Sequence, residues 1–139
     1  MAKTTVRRLG VGDEPILRLL ADREPQTALL ADERTVFVAS FDGERPIGFA
    51  FGYVLERRHG EPSIFFVYEV DVDPAYQRQG LATRMFDEMH RFAREQGAVE
   101  SFVLTEPDND AANALYASLG GERVDAVMWD LLTDRSSTA

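Results

Sequence analysis

The chain has 139 residues, 45% of them hydrophobic and 28% charged, which is typical of one globular domain large enough to bury a core without disulfides or metals. Its 24 acidic and 15 basic residues give a net charge of −9, which argues against a nucleic-acid partner and either favours a cationic one or merely keeps the protein soluble. Cysteine is absent, which excludes disulfides, thiolate metal ligands and a cysteine nucleophile.

The sequence shows no membrane or secretory signal. No run approaches the roughly 18 uninterrupted apolar residues that a spanning helix needs. Residues 1–5 do not lead into an apolar signal core. We therefore expect a cytoplasmic protein with no membrane partner.

The first half of the chain predicts a strand, a short helical region and an antiparallel meander. β-Branched and aromatic runs mark the strands, Asp42-Gly43 is a hairpin turn signal, and Pro15 suits the first turn of a helix. The predicted elements are a strand at 4–9, a helix that includes residues 16–20, a second short helix around 28–30, and strands at 35–41, 47–55 and 63–72.

The third strand of the meander is expected to carry polar side chains at one end of one face. Side chains of a strand alternate between two faces. One face would then hold Ile64, Phe66, Tyr68, Val70 and Val72, and the other Phe65, Val67, Glu69 and Asp71. The second face begins with apolar residues and ends with two carboxylates.

The second half predicts a β-α-β unit, a further helix and a final strand. An apolar helical stripe runs from Gly80 to Gly97, and a strand at 99–105 should lie parallel to, or splayed from, the strand before the helix. A helix at 111–119, a last strand with alternating apolar positions at 124–132 and a frayed tail at 133–139 complete the chain. This order predicts an α/β (α+β) fold in a single domain over residues 1–132.

The junction between the third strand and the long helix has the composition of an anion site. A helix that begins at a glycine leaves its first amide groups unpaired at the positive end of its dipole, where phosphate binds. The candidate groups are the amides around Gln79, Gly80, Leu81 and Ala82, the charge of Arg78 and the hydroxyl of Thr83. A tight turn that binds nothing would have the same composition. The segment lacks the patterns of nucleoside-triphosphate and dinucleotide loops.

Two segments in this order resemble motifs of the GNAT acyltransferases, which bind acetyl-coenzyme A. The matching residues are Gln77, Gly80 and Ala82 in a segment similar to the family's pyrophosphate loop, and Asn109, Ala112, Tyr116 and Gly120 in one similar to its second motif. The match departs at Ala82, where glycine is common, and at Gly121, where a large apolar residue is usual. The resemblance implies the GNAT fold, a mixed central sheet with an antiparallel meander and a splayed β-α-β unit flanked by helices.

The resemblance also implies acetyl-coenzyme A as the cofactor. Its pantetheine arm is expected to pair with the backbone of Val70, Asp71 and Val72, and its pyrophosphate with residues 77–82. The set of cofactor contacts implied by the two motifs is completed by Thr83, Asn109, Ala112 and Tyr116.

Acetyl transfer to an amine needs a base, a donor to the carbonyl oxygen and a proton for the departing thiolate. Glu69 is the candidate base, the backbone N–H of Val70 the candidate oxyanion donor, and Tyr116 matches the family's general acid. Glu69 could instead be a rim carboxylate in a salt bridge. Asp71 could hold a substrate ammonium or pair with Arg78. No spacing of histidines and carboxylates indicates a metal site.

A closer resemblance concerns the acceptor. Segments 49–55, 67–70, 78–83, 114–120 and 127–130 together look like the small aminoglycoside 3-N-acetyltransferases, which implies transfer to the 3-amine of an aminoglycoside antibiotic. The acidic residues expected to hold this cationic small molecule are Glu69, Asp71, Glu106, Asp108 and Asp110. Residues 106–110 could instead form only a solvated loop and helix cap. A GNAT enzyme for a peptide N-terminus, a polyamine or a metabolite amine, and a module that only binds the cofactor, remain alternatives. The sequence leaves the oligomeric state open, a homodimer included.

Overall fold

The computed structural model describes residues 3–134 and 136, in two compact units divided after Glu106. The first unit holds a five-stranded sheet and two α-helices. Its elements are β1 (Thr4–Arg8), α1 (Glu14–Leu20), a 3-10 helix (Thr27–Ala31), β2 (Thr35–Asp42), β3 (Arg45–Leu55), β4 (Ile64–Val72), a second 3-10 helix (Pro74–Tyr76), α2 (Leu81–Glu95) and β5 (Glu100–Val103).

The strands lie in the order β1-β2-β3-β4-β5, antiparallel except for the parallel pair β4 and β5. This confirms the predicted mixed sheet, with a meander that leads into a β-α-β unit. The parallel pairing covers only Ile64 to Val67 on β4 and Glu100 to Val103 on β5. Beyond Val67 the strand is paired on its β3 side alone, so the two strands separate as expected.

One face of the sheet is packed against α2. Ser101 of β5 pairs with Phe65 of β4, and its hydroxyl shares a 2.8 Å hydrogen bond with the ring of His90 on α2. Phe65 and Ser101 therefore lie on the face that contacts α2. The helix contributes five buried side chains to this contact, Leu81, Met85, Phe86, Met89 and Ala93. It ends where Gly97 adopts a φ of 84° and the Ala98 amide bonds the Ala93 carbonyl, a Schellman cap. Burial of each large side chain here stabilises the fold by about 1.5–3 kcal/mol.

The other face is aromatic and lies against α1 and the first 3-10 helix. Its buried cluster comprises Leu9, Leu17, Phe37, Ala39, Phe41 and Phe51. Leu29 and Leu30 of the 3-10 helix are partly buried and pack against this cluster. The helical character expected around residues 28–30 is therefore present as a 3-10 turn.

The second unit contains α3 (Asp110–Ser118), and residues 121–134 after it contain no helix or strand. The helix ends at Gly120, whose φ is 85°, and the Gly121 amide bonds the Tyr116 carbonyl at 3.0 Å. The prediction of a strand at 124–132 was wrong, because these residues have no regular secondary structure. Alternation shows which side chains could share a face, but it provides no strand partner. The large apolar side chains of this segment are 59–81% exposed.

None of the helices within residues 3–134 combines the length and apolar character required to cross a membrane.

Candidate functional site

A β-bulge in β4 changes which face carries the carboxylates. Phe51 of β3 pairs with Glu69, but its neighbour Gly52 pairs with Val67, so Tyr68 is the extra residue. Residues directly opposite each other in a sheet share a face. Glu69 therefore lies on the aromatic face with Phe51.

Tyr68 lies on the predicted face with Phe66, but the predicted faces of this strand were wrong beyond Tyr68. Asp71 pairs with Phe49 and lies on the aromatic face, whereas Val70 and Val72 lie on the α2 face. Strict alternation would have placed both carboxylates against the apolar core, where burying unpaired charge is costly. One additional residue instead leaves Glu69 and Asp71 exposed.

Gly52 on the neighbouring strand makes room for the bulge. A Cβ atom at this position would lie 2.4 Å from the Phe66 carbonyl oxygen and 2.5 Å from the Phe65 ring. Such distances are far inside van der Waals contact, so no larger residue fits without movement of β4. The bulge on one strand thus depends on a glycine in the other.

The backbone of β4 after the bulge offers hydrogen-bonding groups at an open edge. The Asp73 amide bonds the Ile47 carbonyl of β3 at 2.8 Å, and groups alternate in direction along an antiparallel strand. Asp71 therefore directs its backbone groups to β3, and Val70 and Val72 direct theirs to the side from which β5 has departed. Val70, Asp71 and Val72 were predicted to contact the cofactor through their backbone groups. Val70 and Val72 direct these groups outward as that contact requires, whereas Asp71 does not.

The turn from β4 to α2 has an unusual backbone. Arg78 has a φ of 64° and Gly80 a φ of 80°, both in the left-handed region that favours glycine. A Cβ at Gly80 would meet no atom within 4 Å, so glycine is favoured by its conformation and not by crowding. Gln77 fixes the start of the turn, because its side-chain amide donates to the Val72 carbonyl at 3.0 Å.

The N-terminus of α2 fits a phosphate group. The first helical hydrogen bond runs from the Arg84 amide to the Gly80 carbonyl, so the amides of Leu81, Ala82 and Thr83 precede it. These donors lie at the positive end of the helix dipole, next to the exposed side chain of Arg78. Gln79 and Gly80 are also exposed in this turn.

The carboxylates after the bulge lie beside an aromatic surface. Tyr68 is 56% exposed, and its ring centroid lies 5.3 Å from that of Phe51 and 5.8 Å from that of Tyr53. Burial, reinforced by Tyr68 and the carboxylates of Asp32 and Glu69, raises the pKa of Tyr53. Within the described residues neither Glu69 nor Asp71 forms an ion pair. The alternative roles of Glu69 in a rim salt bridge and of Asp71 in a pair with Arg78 are therefore not observed.

The second unit holds the residues of the other predicted motif. Asn109 caps α3, where its side-chain oxygen accepts from the Ala112 amide at 3.1 Å. Tyr116 is half-buried, and burial raises the pKa of its hydroxyl, which keeps the phenol protonated at neutral pH. Asp108 and Asp110 are exposed, as is Glu106 at the end of the first unit.

The histidines lie apart from this chemistry. The composition around His90 predicts a solvated face, but the ring is half-buried, and burial followed by the charge of Arg94 lowers its pKa. Among the described residues, no three histidine or carboxylate side chains lie close enough together to hold a metal ion.

Comparison with known proteins defines the class. The chain belongs to the acetyltransferase (GNAT) family, whose model matches residues 6–120. The expected fold, family and cofactor are thereby confirmed, since GNAT acetyltransferases use acetyl-coenzyme A.

Individual relatives differ in their acceptors. The N-alpha-acetyltransferase RimI of Mycobacterium tuberculosis is 38% identical over 117 residues, which are 84% of this chain and 68% of that protein. A mycothiol acetyltransferase of Kocuria rhizophila is 32% identical over 116 residues, 84% of this chain but only 36% of the relative. An aminoglycoside acetyltransferase from an uncultured soil metagenomic sample superposes with a TM-score of 0.84 at 22% identity, covering 95% of this chain and 99% of the other. At that identity the likeness shows the fold.

Sequence reasoning missed the aromatic surface beside Glu69. Phe49, Phe51 and Tyr53 alternate along β3, and this pattern alone is equally typical of a buried core. The exposure of Tyr68 follows from the bulge, and β4 itself contains no glycine or proline that marks one.

Proposed function

We propose that this protein transfers an acetyl group directly from acetyl-coenzyme A to an amine of a cationic small molecule, the 3-amine of an aminoglycoside. The observation that carries the proposal is the pair of exposed carboxylates, Glu69 and Asp71, beside the open backbone edge of Val70. An ammonium group is attracted to such a pair, and the net charge of −9 extends this attraction over the molecule.

The residues present fit acetyl-coenzyme A. The outward carbonyl of Val70 and the outward amide of Val72 would hold the pantetheine arm, and the amides of residues 79–83 with Arg78 would hold the pyrophosphate. The bound thioester supplies an activated acetyl group. Asn109 and Ala112 complete the proposed cofactor set through the family motif alone.

Glu69 is assigned the role of general base. Amines are mostly protonated at neutral pH, and a carboxylate that accepts the proton generates the neutral nucleophile. Its position one residue before Val70 puts the base and the proposed oxyanion donor, the Val70 amide, on adjacent residues. Asp71 shares the face of Glu69 and is assigned to hold the ammonium group.

Tyr116 is assigned the role of general acid on the family motif. A phenol whose pKa is raised by burial is protonated at neutral pH and can donate to a departing thiolate. Asp108, Asp110 and Glu106 are exposed carboxylates and are assigned to hold additional ammonium groups of the acceptor.

A second acceptor class is favoured by one comparison. The similarity to the RimI N-alpha-acetyltransferase supports the α-amine of a peptide as the alternative acceptor. The same base and cofactor residues would serve either amine, so only the acceptor distinguishes the two functions.

The decisive experiment measures coenzyme A release from acetyl-coenzyme A with gentamicin, sisomicin, spermidine and a panel of peptides, each against a blank without acceptor. We expect release with the aminoglycosides, and NMR of the product should place the acetyl group on the 3-amine. Release with peptides alone would establish the alternative. Retention of acetyl-coenzyme A without release for any amine would indicate a binding module.

The roles of the two catalytic candidates require separate variants. Glu69→Gln and Tyr116→Phe should each lower kcat, because each removes a proton-transfer group and leaves a side chain of similar shape. Unchanged release in either variant would remove that residue from the mechanism.

A further inference from the structure

The surface next to Glu69 combines rings and charges in a way that the proposed proton transfer does not use. Tyr68 and Glu69 are consecutive in sequence, yet the ring of Tyr68 and the carboxylate of Glu69 both lie on the face of Phe51. Only the bulge allows two adjacent residues to do this. An aromatic ring and a carboxylate are therefore placed side by side.

The three rings on this face differ in exposure, which increases from Phe51 through Tyr53 to Tyr68. Phe51 is 7% exposed and belongs to the core, Tyr53 is partly buried, and Tyr68 is 56% exposed. The rings of Tyr53 and Tyr68 meet edge to face at 86°. Tyr68 is therefore not a core residue, and its side chain is accessible to a ligand.

The charges around these rings are negative. Asp32, at the end of the first 3-10 helix, and Glu69 both act on Tyr53. The carboxylate of Asp32 accepts a hydrogen bond from the Arg34 amide, and the guanidinium of Arg34 is paired with Glu56. Within the described residues neither Asp32 nor Glu69 has a cationic partner, so the surface has unneutralised negative charge at both ends.

We propose that Tyr53 and Tyr68, between Asp32 and Glu69, form a subsite that binds a second ammonium group of the acetyl acceptor. The electron-rich face of a tyrosine attracts a cation within about 6 Å of the ring centroid, and neighbouring carboxylates add Coulombic attraction. The acceptor is then a diamine or polyamine whose reacting amine lies at Glu69. This inference rests on the proposed acetyl transfer, and it makes Tyr68 a residue that determines specificity.

The test compares two acceptors that differ by one ammonium group, butane-1,4-diamine and butan-1-amine. Coenzyme A release gives kcat/KM for both with the wild type, Tyr68→Leu, Tyr68→Phe and Phe102→Leu. We expect Tyr68→Leu to lower kcat/KM for the diamine by about 3- to 30-fold and to leave the monoamine nearly unchanged. Tyr68→Phe retains a ring and should keep most of the preference.

Phe102→Leu is the matched control. Phe102 is an exposed residue of β5 whose ring stacks on Phe66 at 4.6 Å. Among the described residues its ring contacts neither Tyr53 nor Tyr68, so its loss should leave the diamine preference intact. An equal fall for both amines in Tyr68→Leu, or a preference that survives it, would overturn the subsite while acetyl transfer itself stands.

A binding measurement distinguishes failure of the proposed subsite from failure of the proposed acetyl transfer. Calorimetric titration with sisomicin and spermidine, in the presence of coenzyme A, measures the affinity of the protein for each polyamine without turnover. Binding that Tyr68→Leu weakens, together with no release for any amine, would retain the subsite and reject acetyl transfer. Absence of polyamine binding to the wild type would reject both.

Discussion

The two faces of β4 differ sharply although they belong to the same strand. On the α2 face, Phe65 and Val67 are at most 1% exposed and are surrounded by apolar side chains. On the aromatic face, Tyr68, Glu69 and Asp71 are exposed. The change from one environment to the other is made by a single unpaired residue in the ladder.

This difference separates stability from chemistry. A charged group on the packed face would have to be desolvated without a partner, which is strongly unfavourable. Removing an exposed carboxylate from the other face affects little of the packing. Substitutions on the α2 face should therefore change the free energy of unfolding, and substitutions on the aromatic face should change acetyl transfer.

The largest effect is expected from Glu69→Gln. Loss of the proposed base should lower kcat/KM by about 100- to 10,000-fold, equivalent to about 3–5.5 kcal/mol, while the free energy of unfolding changes by less than about 0.5 kcal/mol. Coenzyme A release and urea denaturation measure the two quantities. Asp71→Asn, on the same face, should have the smaller effect on rate. A fall of less than tenfold in Glu69→Gln would place the base elsewhere.

Phe65→Ala should have the largest effect on stability. Phe65 is fully buried, and its truncation should cost about 3–5 kcal/mol in the free energy of unfolding. Phe102→Ala provides the comparison, because Phe102 is 39% exposed and loses less burial. Denaturant midpoints with unchanged slopes would give both values. Equal costs for the two variants would contradict the contrast between the faces.

Gly52→Ala connects the two faces. The added Cβ must displace the backbone at Phe66, so we expect about 1–3 kcal/mol of destabilisation together with a loss of kcat/KM as Glu69 moves. Gly60→Ala is the control, since a Cβ there meets no atom within 4 Å. Destabilisation with full acetyl transfer would show that the position of Glu69 does not depend on the bulge.

The smallest effect is expected from removal of an exposed ion pair between β1 and α2. Arg8 of β1 bonds Glu95 of α2 at 2.8 Å, and this hydrogen bond lowers the pKa of Glu95. Because the folded pKa is depressed, the stabilisation is present above the ordinary value of about 4.3 and is lost as the pH falls below it.

Glu95→Gln should therefore lower the Tm by about 1–2 °C at pH 7 and by progressively less in acid. Glu61→Gln, an exposed carboxylate without an ion pair among the described residues, is the control. A Tm difference that persists unchanged below pH 3 would exclude the ionic explanation.

Much of the fold followed from local patterns. The Asp42-Gly43 hairpin, the amphipathic stripe of α2 and its stop at Gly97 all depend on neighbours in sequence, and each was predicted and found. The two motifs of the family likewise consist of nearby residues, which is why the class and cofactor could be inferred.

The features that were missed depend on distant residues. The bulge at Tyr68 is made possible by Gly52 on another strand, so β4 alone reads as regular. The predicted strand at 124–132 has the right alternation, but pairing requires a partner that the pattern cannot supply. The exposure of Tyr68 follows from the bulge.

The dependence of the bulge on Gly52 has a consequence for protein engineering. The acceptor surface cannot be transplanted by grafting β4 alone, because any larger residue opposite the bulge would clash with the Phe66 carbonyl and the Phe65 ring and force β4 to move. The smallest transferable module is the β3–β4 hairpin with its glycine. Libraries that diversify Tyr53, Tyr68 and Asp71 to reach new amines should hold position 52 constant.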